Sequence, residues 1–285
     1  MNNMKDFEIY SNLKVSKINP VIIRLDGRNF HTLSSDLKFE KPYDVHFAKA
    51  MSDVCLDIAN EFQPLFIYSF SDEINILLNE LPFNGRVEKL DSVFASFASS
   101  SLTSKLIREF NIDNDKLFNE NPSFNDEYER FKRSLGIQNS EDTNEVLGFR
   151  KPISFDSRIV PISHEEIPEY FKWRQNESWR NCINGYGIWS LKRNYPADVA
   201  ASKLFGLSLS DIIDILSDEG IDFNEIDLWK KRGFAVYKNF HTIKKYDKLT
   251  DSEVVERRRY LYRDFNLPKF DRQFFVKKEI IEENP

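Results

Sequence analysis

Short apolar runs and longer stretches with helical spacing alternate along the chain. "VIIRLDG" (Val21 to Gly27) is an apolar run closed by a carboxylate and a glycine, and an Asn-Pro turn signal precedes it. It predicts a buried strand. "YDVHFAKAMSDVCLDIANEF" follows, with Phe47, Met51, Val54, Ile58 and Phe62 on one face, the spacing of an amphipathic helix. Two strands are then predicted, Leu65–Phe70 and Ile74–Leu78, joined by Ser-Asp-Glu. Phe66, Tyr68 and Phe70 share one face of the first, and Ile74, Ile76 and Leu78 share one face of the second. A second helix is predicted from about Val87 to Phe110, with small residues in "ASFASSS" that allow close approach to a sheet. "ISFDSRIVPI" (Ile153 to Ile162) reads as a fourth strand.

This β-α-β-β-α-β order is the ferredoxin-like, split βαβ pattern, an α+β fold. Residues 1–165 are therefore expected to form the core. Within them, the Asn-, Asp- and Glu-rich segment 111–151 reads as an inserted excursion with a short helix at Glu127–Leu135. Residues 166–285 are expected to pack on that core. They open with an aromatic-rich helix whose polar face would carry Arg174, Glu177, Asn181 and Asn184. Shorter helices near Ala197–Leu204 and Asp211–Leu216 follow, then a β-hairpin within "KKRGFAVYKNFHTIKKYDK" and a basic, aromatic tail.

Composition narrows the function classes. The chain has 285 residues, 41% hydrophobic, and no apolar run long enough to span a bilayer. "MNNMKDFEIY" lacks the apolar region of a secretion signal, so a cytoplasmic protein is expected. Two cysteines, Cys55 and Cys182, exclude a disulfide framework or a CxxC metal site and are expected in the core. The net charge of −6 opposes nucleic-acid binding, but residues 229–278 hold 15 Lys and Arg against 6 Asp and Glu. Such asymmetry marks either a polyanion-binding region or a solvated surface.

In the split βαβ topology strands one and three are neighbours. Asp26, at the end of the first, and Asp72, in the turn before the third, are then expected at one end of the sheet, facing each other. Paired carboxylates raise one another's pKa unless a cation lies between them. Oxygen ligands suit Mg²⁺, and two such ions serve phosphoryl transfer. Gly27 permits close approach. Arg24 shares the face of Asp26. Lys41 precedes Pro42, a good first helical residue, and Arg86 and Lys89 open the second helix. Each of these residues also has an ordinary reading as a turn or surface position.

The motifs "RLDGRNFHTL", "FEKPYD", "FSDEINILL", "LPFNGRVEKLDSVFASFASS", "FDSRIVP" and "WRQNESWRNCINGY" recur in the same order in the tRNA(His) guanylyltransferase family, which this sequence resembles from Ile22 to about Phe270. The resemblance implies a polymerase-palm catalytic domain that adds nucleotides to tRNA 5′ ends in the 3′–5′ direction. It implies two Mg²⁺ ions held by Asp26, the Gly27 carbonyl and Asp72, with Glu73 as a third catalytic carboxylate in support. Arg24, Lys41, Ser71, Arg86 and Lys89 would meet triphosphate or the tRNA end, with Arg28, Asn29, Phe30 and His31 beside a bound nucleotide. GTP and ATP would be substrates. Lys230, Lys231, Arg232, Arg257, Arg258 and Arg259 would bind tRNA phosphates. A homotetramer is also implied.

After Trp173-Arg174-Gln175 the eukaryotic members carry His-Ile-Asn-Asn-Leu-Tyr-Asn-Thr, where this chain reads "ESWRNCINGYG". In this it is closer to archaeal and bacterial relatives, and template-directed repair of truncated tRNA stands beside G addition to tRNA(His). A palm-type nucleotide cyclase would carry Gly-Gly where Phe70 and Ser71 stand. An RNA-binding ferredoxin-like module would show an RNP motif, which is absent.

Overall fold

A computed structural model describes residues 3–120, 151–247 and 252–283. Among these residues six strands form one antiparallel sheet: β1 (Val21–Gly27), β2 (Phe66–Phe70), β3 (Glu73–Leu78), β4 (Phe155–Pro161), β5 (Phe234–Asp247) and β6 (Ser252–Asp264), in spatial order β4-β1-β3-β2-β5-β6. The first four strands take the order of the split βαβ motif. The last two extend the sheet beside β2, so the C-terminal region builds onto the same sheet as the core.

Eight helices accompany the described strands: α1 (Phe30–Asp36), α2 (Val45–Phe62), α3 (Val87–Glu120), α4 (Ile167–Leu191), α5 (Ala197–Leu204), α6 (Leu209–Asp218), α7 (Leu228–Arg232) and α8 (Arg272–Lys277). Strand alternation sends Val21, Ile23, Leu25, Ile67, Ile74 and Ile76 to a core shared with α2 and α3. Ile22, Phe66, Tyr68, Phe70 and Leu77 go to a second core with α4 and α8. With both faces covered, β2 and β3 are buried at every position. That explains why they read as nearly unbroken apolar runs. Cys55 and Cys182 are both buried and free.

Several elements differ from their sequence expectation. Glu73 belongs to β3, leaving a two-residue turn of Ser71 and Asp72. Helix α2 starts at Val45, not at Pro42, because Asp44 caps it by accepting from the Phe47 N–H. Helix α3 runs on to Glu120, ten residues past its expected end. The segment read as a hairpin after Lys230 is instead one strand, β5, and its partner is the basic tail, β6. No glycine or Asn-Gly pair interrupts β5 to turn it. The short helix expected at Glu127–Leu135 and most of the insertion lie outside the described residues.

Candidate active site

Strand β1 carries Asp26 to the end of the sheet where the β2–β3 hairpin turns. The register pairs Asp26 with Glu73 on β3, and the Gly27 N–H donates to the Asp72 carbonyl at 3.1 Å. The turn is tight enough that Ser71 adopts a positive φ of 50°. Gly27 admits nothing larger: a Cβ there would stand 2.5 Å from the Phe30 ring and 2.8 Å from the Asp72 Cβ. The two carboxylate-bearing segments are thus locked edge to edge.

Burial pushes the Asp72 carboxyl up to about 6. Its own backbone N–H and the Ser71 hydroxyl, which donates to Asp72 Oδ1 at 3.1 Å, pull the other way, while the charges of Asp26 and Glu73 add to the rise. An acid held in this state favours a cation. Among the described residues no group of three or more His, Cys, Asp or Glu is placed to hold a metal ion. Asp26 and Asp72 are the carboxylates that could offer oxygen to a hard cation here, which would complete its shell with water or phosphate, the habit of Mg²⁺.

Glu73, expected as a third catalytic carboxylate, is committed elsewhere. It is 7% exposed and accepts from Arg174 Nε at 2.8 Å, from Arg174 Nη2 at 2.6 Å and from Asn75 Nδ2 at 2.8 Å. Three donors leave its oxygens little capacity for a metal, and Glu73 is an anchor. Arg174, expected on the polar face of its helix, is correspondingly buried.

Beside Asp72 opens a cleft of about 220 Å³ between α1, the start of α2, the hairpin turn and α7. Phe30, Phe39, Tyr43, Phe47, Phe70 and Trp229 give it flat apolar walls, and His31, Ser34, Lys41, Asp44 and Lys230 supply polar groups. Aromatic walls with a few convergent polar groups suit a small-molecule ring system. Phe30 also packs on Phe155 with ring centres 5.2 Å apart, so it is both wall and support. Lys41 donates to Ser34 Oγ. Burial lowers its pKa, with Asp44 opposing and Lys192 reinforcing. Asn29 takes the left-handed conformation that starts α1, and Arg28 is exposed with its N–H on the Ser154 carbonyl. Arg24 lies one row below Asp26, beside Tyr170, and its buried Nε has no hydrogen-bond partner among the described residues.

Apart from Lys230, the other expected residues do not converge on this site. Arg86 and Lys89 open α3 after β3 has run its length away from Asp72, roughly 17–20 Å off. The Arg86 backbone forms an isolated antiparallel β-bridge there with Lys14. Lys231, expected on tRNA, is buried, donating to the Phe223 and Asn224 carbonyls. Arg232 donates to the Leu267 carbonyl. Lys230 faces the cleft, paired with Asp227 at 2.9 Å. On β6, Arg257 is paired with Glu279 at 2.6 Å and Arg258 with Glu256 at 3.2 Å, while Arg259 lies over the Phe240 ring.

Sequence reading missed Tyr43, Asp44 and Trp229 as cleft residues, though Asp44 before an apolar helical stripe is an N-cap signal. It also missed Asp156, which the register sets opposite Asp26 on the other side of β1.

Adjacent strand-end carboxylates on a split βαβ sheet thus stand beside an aromatic cleft. A family model described as "Thg1: tRNAHis guanylyltransferase" matches residues 1–163, and the chain belongs to that family. The tRNA(His) guanylyltransferase of Debaryomyces hansenii is 28% identical over 250 residues, 84% of this chain and 82% of that one. The Saccharomyces cerevisiae enzyme is 26% identical over 227 residues, 76% of this chain and 82% of its own. A bacterial tRNA(His) guanylyltransferase-like protein solved in complex with ATP superposes with a TM-score of 0.69 at 22% identity, over 99% of this chain and 98% of that one. A GTP complex of a bacterial protein so described gives 0.64 at 23% identity, over 98% and 97%.

Proposed function

We propose that this enzyme adds nucleotides to the 5′ end of tRNA in the 3′–5′ direction, using Mg²⁺ held by Asp26, Asp72 and the Gly27 carbonyl. The observation that carries this reading is the Asp26 strand end locked against the turn whose Asp72 lines the aromatic cleft. The names of the relatives and the nucleotides bound by the structural neighbours support the substrate class.

In the first step a 5′-phosphate oxygen of tRNA attacks the α-phosphorus of ATP or GTP, and pyrophosphate leaves. In the second, the 3′-hydroxyl of an incoming nucleoside triphosphate attacks the activated 5′-phosphorus, and the nucleoside monophosphate leaves. Bound Mg²⁺ would lower the pKa of the attacking hydroxyl and neutralise the leaving phosphate. The chain's own residues hold the reactants. The aromatic walls take a base, Lys41 and His31 stand along its edge, and Arg24 presents positive charge one row below Asp26. Both steps are in-line displacements, so one acidic pair serves both.

Addition of G to tRNA(His) and template-directed repair of truncated 5′ ends both use this chemistry. The absence of the eukaryotic motif after Gln175 favours repair. Intact tRNA(His) and a tRNA lacking its first nucleotide, each 5′-monophosphorylated, distinguish them. Faster addition to the truncated tRNA, matching the opposing 3′ strand, is expected. Addition to neither substrate would refute the proposed activity.

A further inference from the structure

We infer that Arg174 is a positioning residue for the acidic pair: from α4 it clamps both stems of the turn that carries Asp72. The inference rests on the reading of Asp26 and Asp72 as the cation-holding pair. The turn has only two residues, so its stems Phe70 and Glu73, paired in register, decide where Asp72 points. Arg174 grips Glu73 through a two-pronged fork at 2.8 and 2.6 Å. Its guanidinium carbon also lies 5.5 Å from the Phe70 ring centre and 4.4 Å from that of Trp173. One turn earlier on the helix, the Tyr170 hydroxyl donates to Asn75 Oδ1 at 2.8 Å, and Asn75 in turn donates to Glu73. One helix face thus sets one hairpin end.

The clamp has a second consequence. Glu73 is the register partner of Asp26 and would otherwise be a third free carboxylate at the site. With its oxygens occupied by Arg174 and Asn75, its charge is compensated. A fork is geometrically specific, and an ammonium cannot reproduce it.

The test measures Mn²⁺ binding to the purified protein by electron paramagnetic resonance, single-turnover nucleotide addition, and folding by urea titration. For Arg174→Gln we expect Mn²⁺ affinity to fall by roughly 10-fold or more, as for residues that orient metal ligands. The rate of addition should fall by about 100-fold with KM for the triphosphate nearly unchanged, as for a misplaced reacting group. Arg174→Lys should recover little of either. Glu73→Gln/Arg174→Gln should be no worse than the poorer single variant, because the pair acts as a unit. A folded Arg174→Gln with unaltered Mn²⁺ affinity and rate, or single defects that multiply, would overturn the inference. If Arg174→Gln does not fold, Glu73→Gln decides it: weakened Mn²⁺ binding supports the clamp and unchanged binding refutes it. Loss of Mn²⁺ binding in Asp72→Asn alone sinks the clamp and leaves the proposed function standing. A wild-type protein that binds no Mn²⁺ sinks the reading of the acidic pair itself.

Discussion

Asp72 is a carboxyl held where its charge is unwelcome. Burial and the charges of Asp26 and Glu73 raise its folded pKa to about 6, from an ordinary 3.8. The folded state therefore binds this proton more tightly than the unfolded chain does. The stability it contributes is complete below about pH 4 and is lost as pH rises through 6. Urea titrations without divalent metal should show the wild type losing more stability between pH 5 and 7.5 than Asp72→Asn does. Millimolar Mg²⁺ should restore wild-type stability at pH 7.5 by mass action and leave the variant unmoved. A wild-type profile no steeper than the variant's would contradict this account of the site. The Asp26–Asp72 pairing was legible in the sequence because the split βαβ order brings those strand ends together. The role of Glu73 was not, since its partner Arg174 lies 101 residues away on a helix whose polar face looked solvated. An ion pair inside a core interrupts the apolar stripe and mimics an exposed face.

The elements around the site depend on a few close approaches. Gly27 sits against the Phe30 ring and Asp72 Cβ, leaving no room for a methyl group. Gly27→Ala should cost about 1–3 kcal/mol by overpacking and should displace the turn, so nucleotide addition falls more than stability does. Gly233 joins α7 to β5 with φ 69° and ψ −163°, a conformation essentially reserved for glycine, and a Cβ there would overlap the Ser69 carbonyl. Gly233→Ala should lower stability by at least about 2 kcal/mol in urea titration; an unchanged midpoint would contradict this. The helices α2 and α3 and strands β1 to β4 were readable from periodicity. The β5–β6 ribbon was not, because a long strand with few turn residues resembles two short ones. Its partner segment shows in the sequence only as a basic, aromatic tail.

Across the whole molecule, one sheet carries two ends of different character. The acidic pair and the aromatic cleft lie at one end. Strand β5 enters there beside Ser69, pairs with β2 only as far as Tyr237, and continues with β6 past the other end, where α3 begins. The basic excess of residues 229–278 is spread over this ribbon and its flanks, but Lys231 is buried on backbone carbonyls, and Arg257 and Arg258 lie in exposed ion pairs with Glu279 and Glu256. If tRNA phosphates lie along the ribbon, Arg259→Ala should reduce the slope of log affinity against log salt by about 1, and Arg257→Ala by less. Equal slopes for wild type and Arg259→Ala would remove this residue from the RNA surface. Charge counting located the basic region but could not see which of its charges are neutralised within the fold. The most direct test of the whole account follows label from [α-³²P]GTP onto a 5′-monophosphorylated tRNA, in the presence of ATP and Mg²⁺. Wild type should label the tRNA and lose that activity with EDTA. Asp26→Asn and Asp72→Asn should label it roughly 10²–10³-fold more slowly while remaining folded, the loss of several kcal/mol of charge stabilisation. Labelling at the wild-type rate by either variant would contradict the assignment of the acidic pair as the catalytic centre.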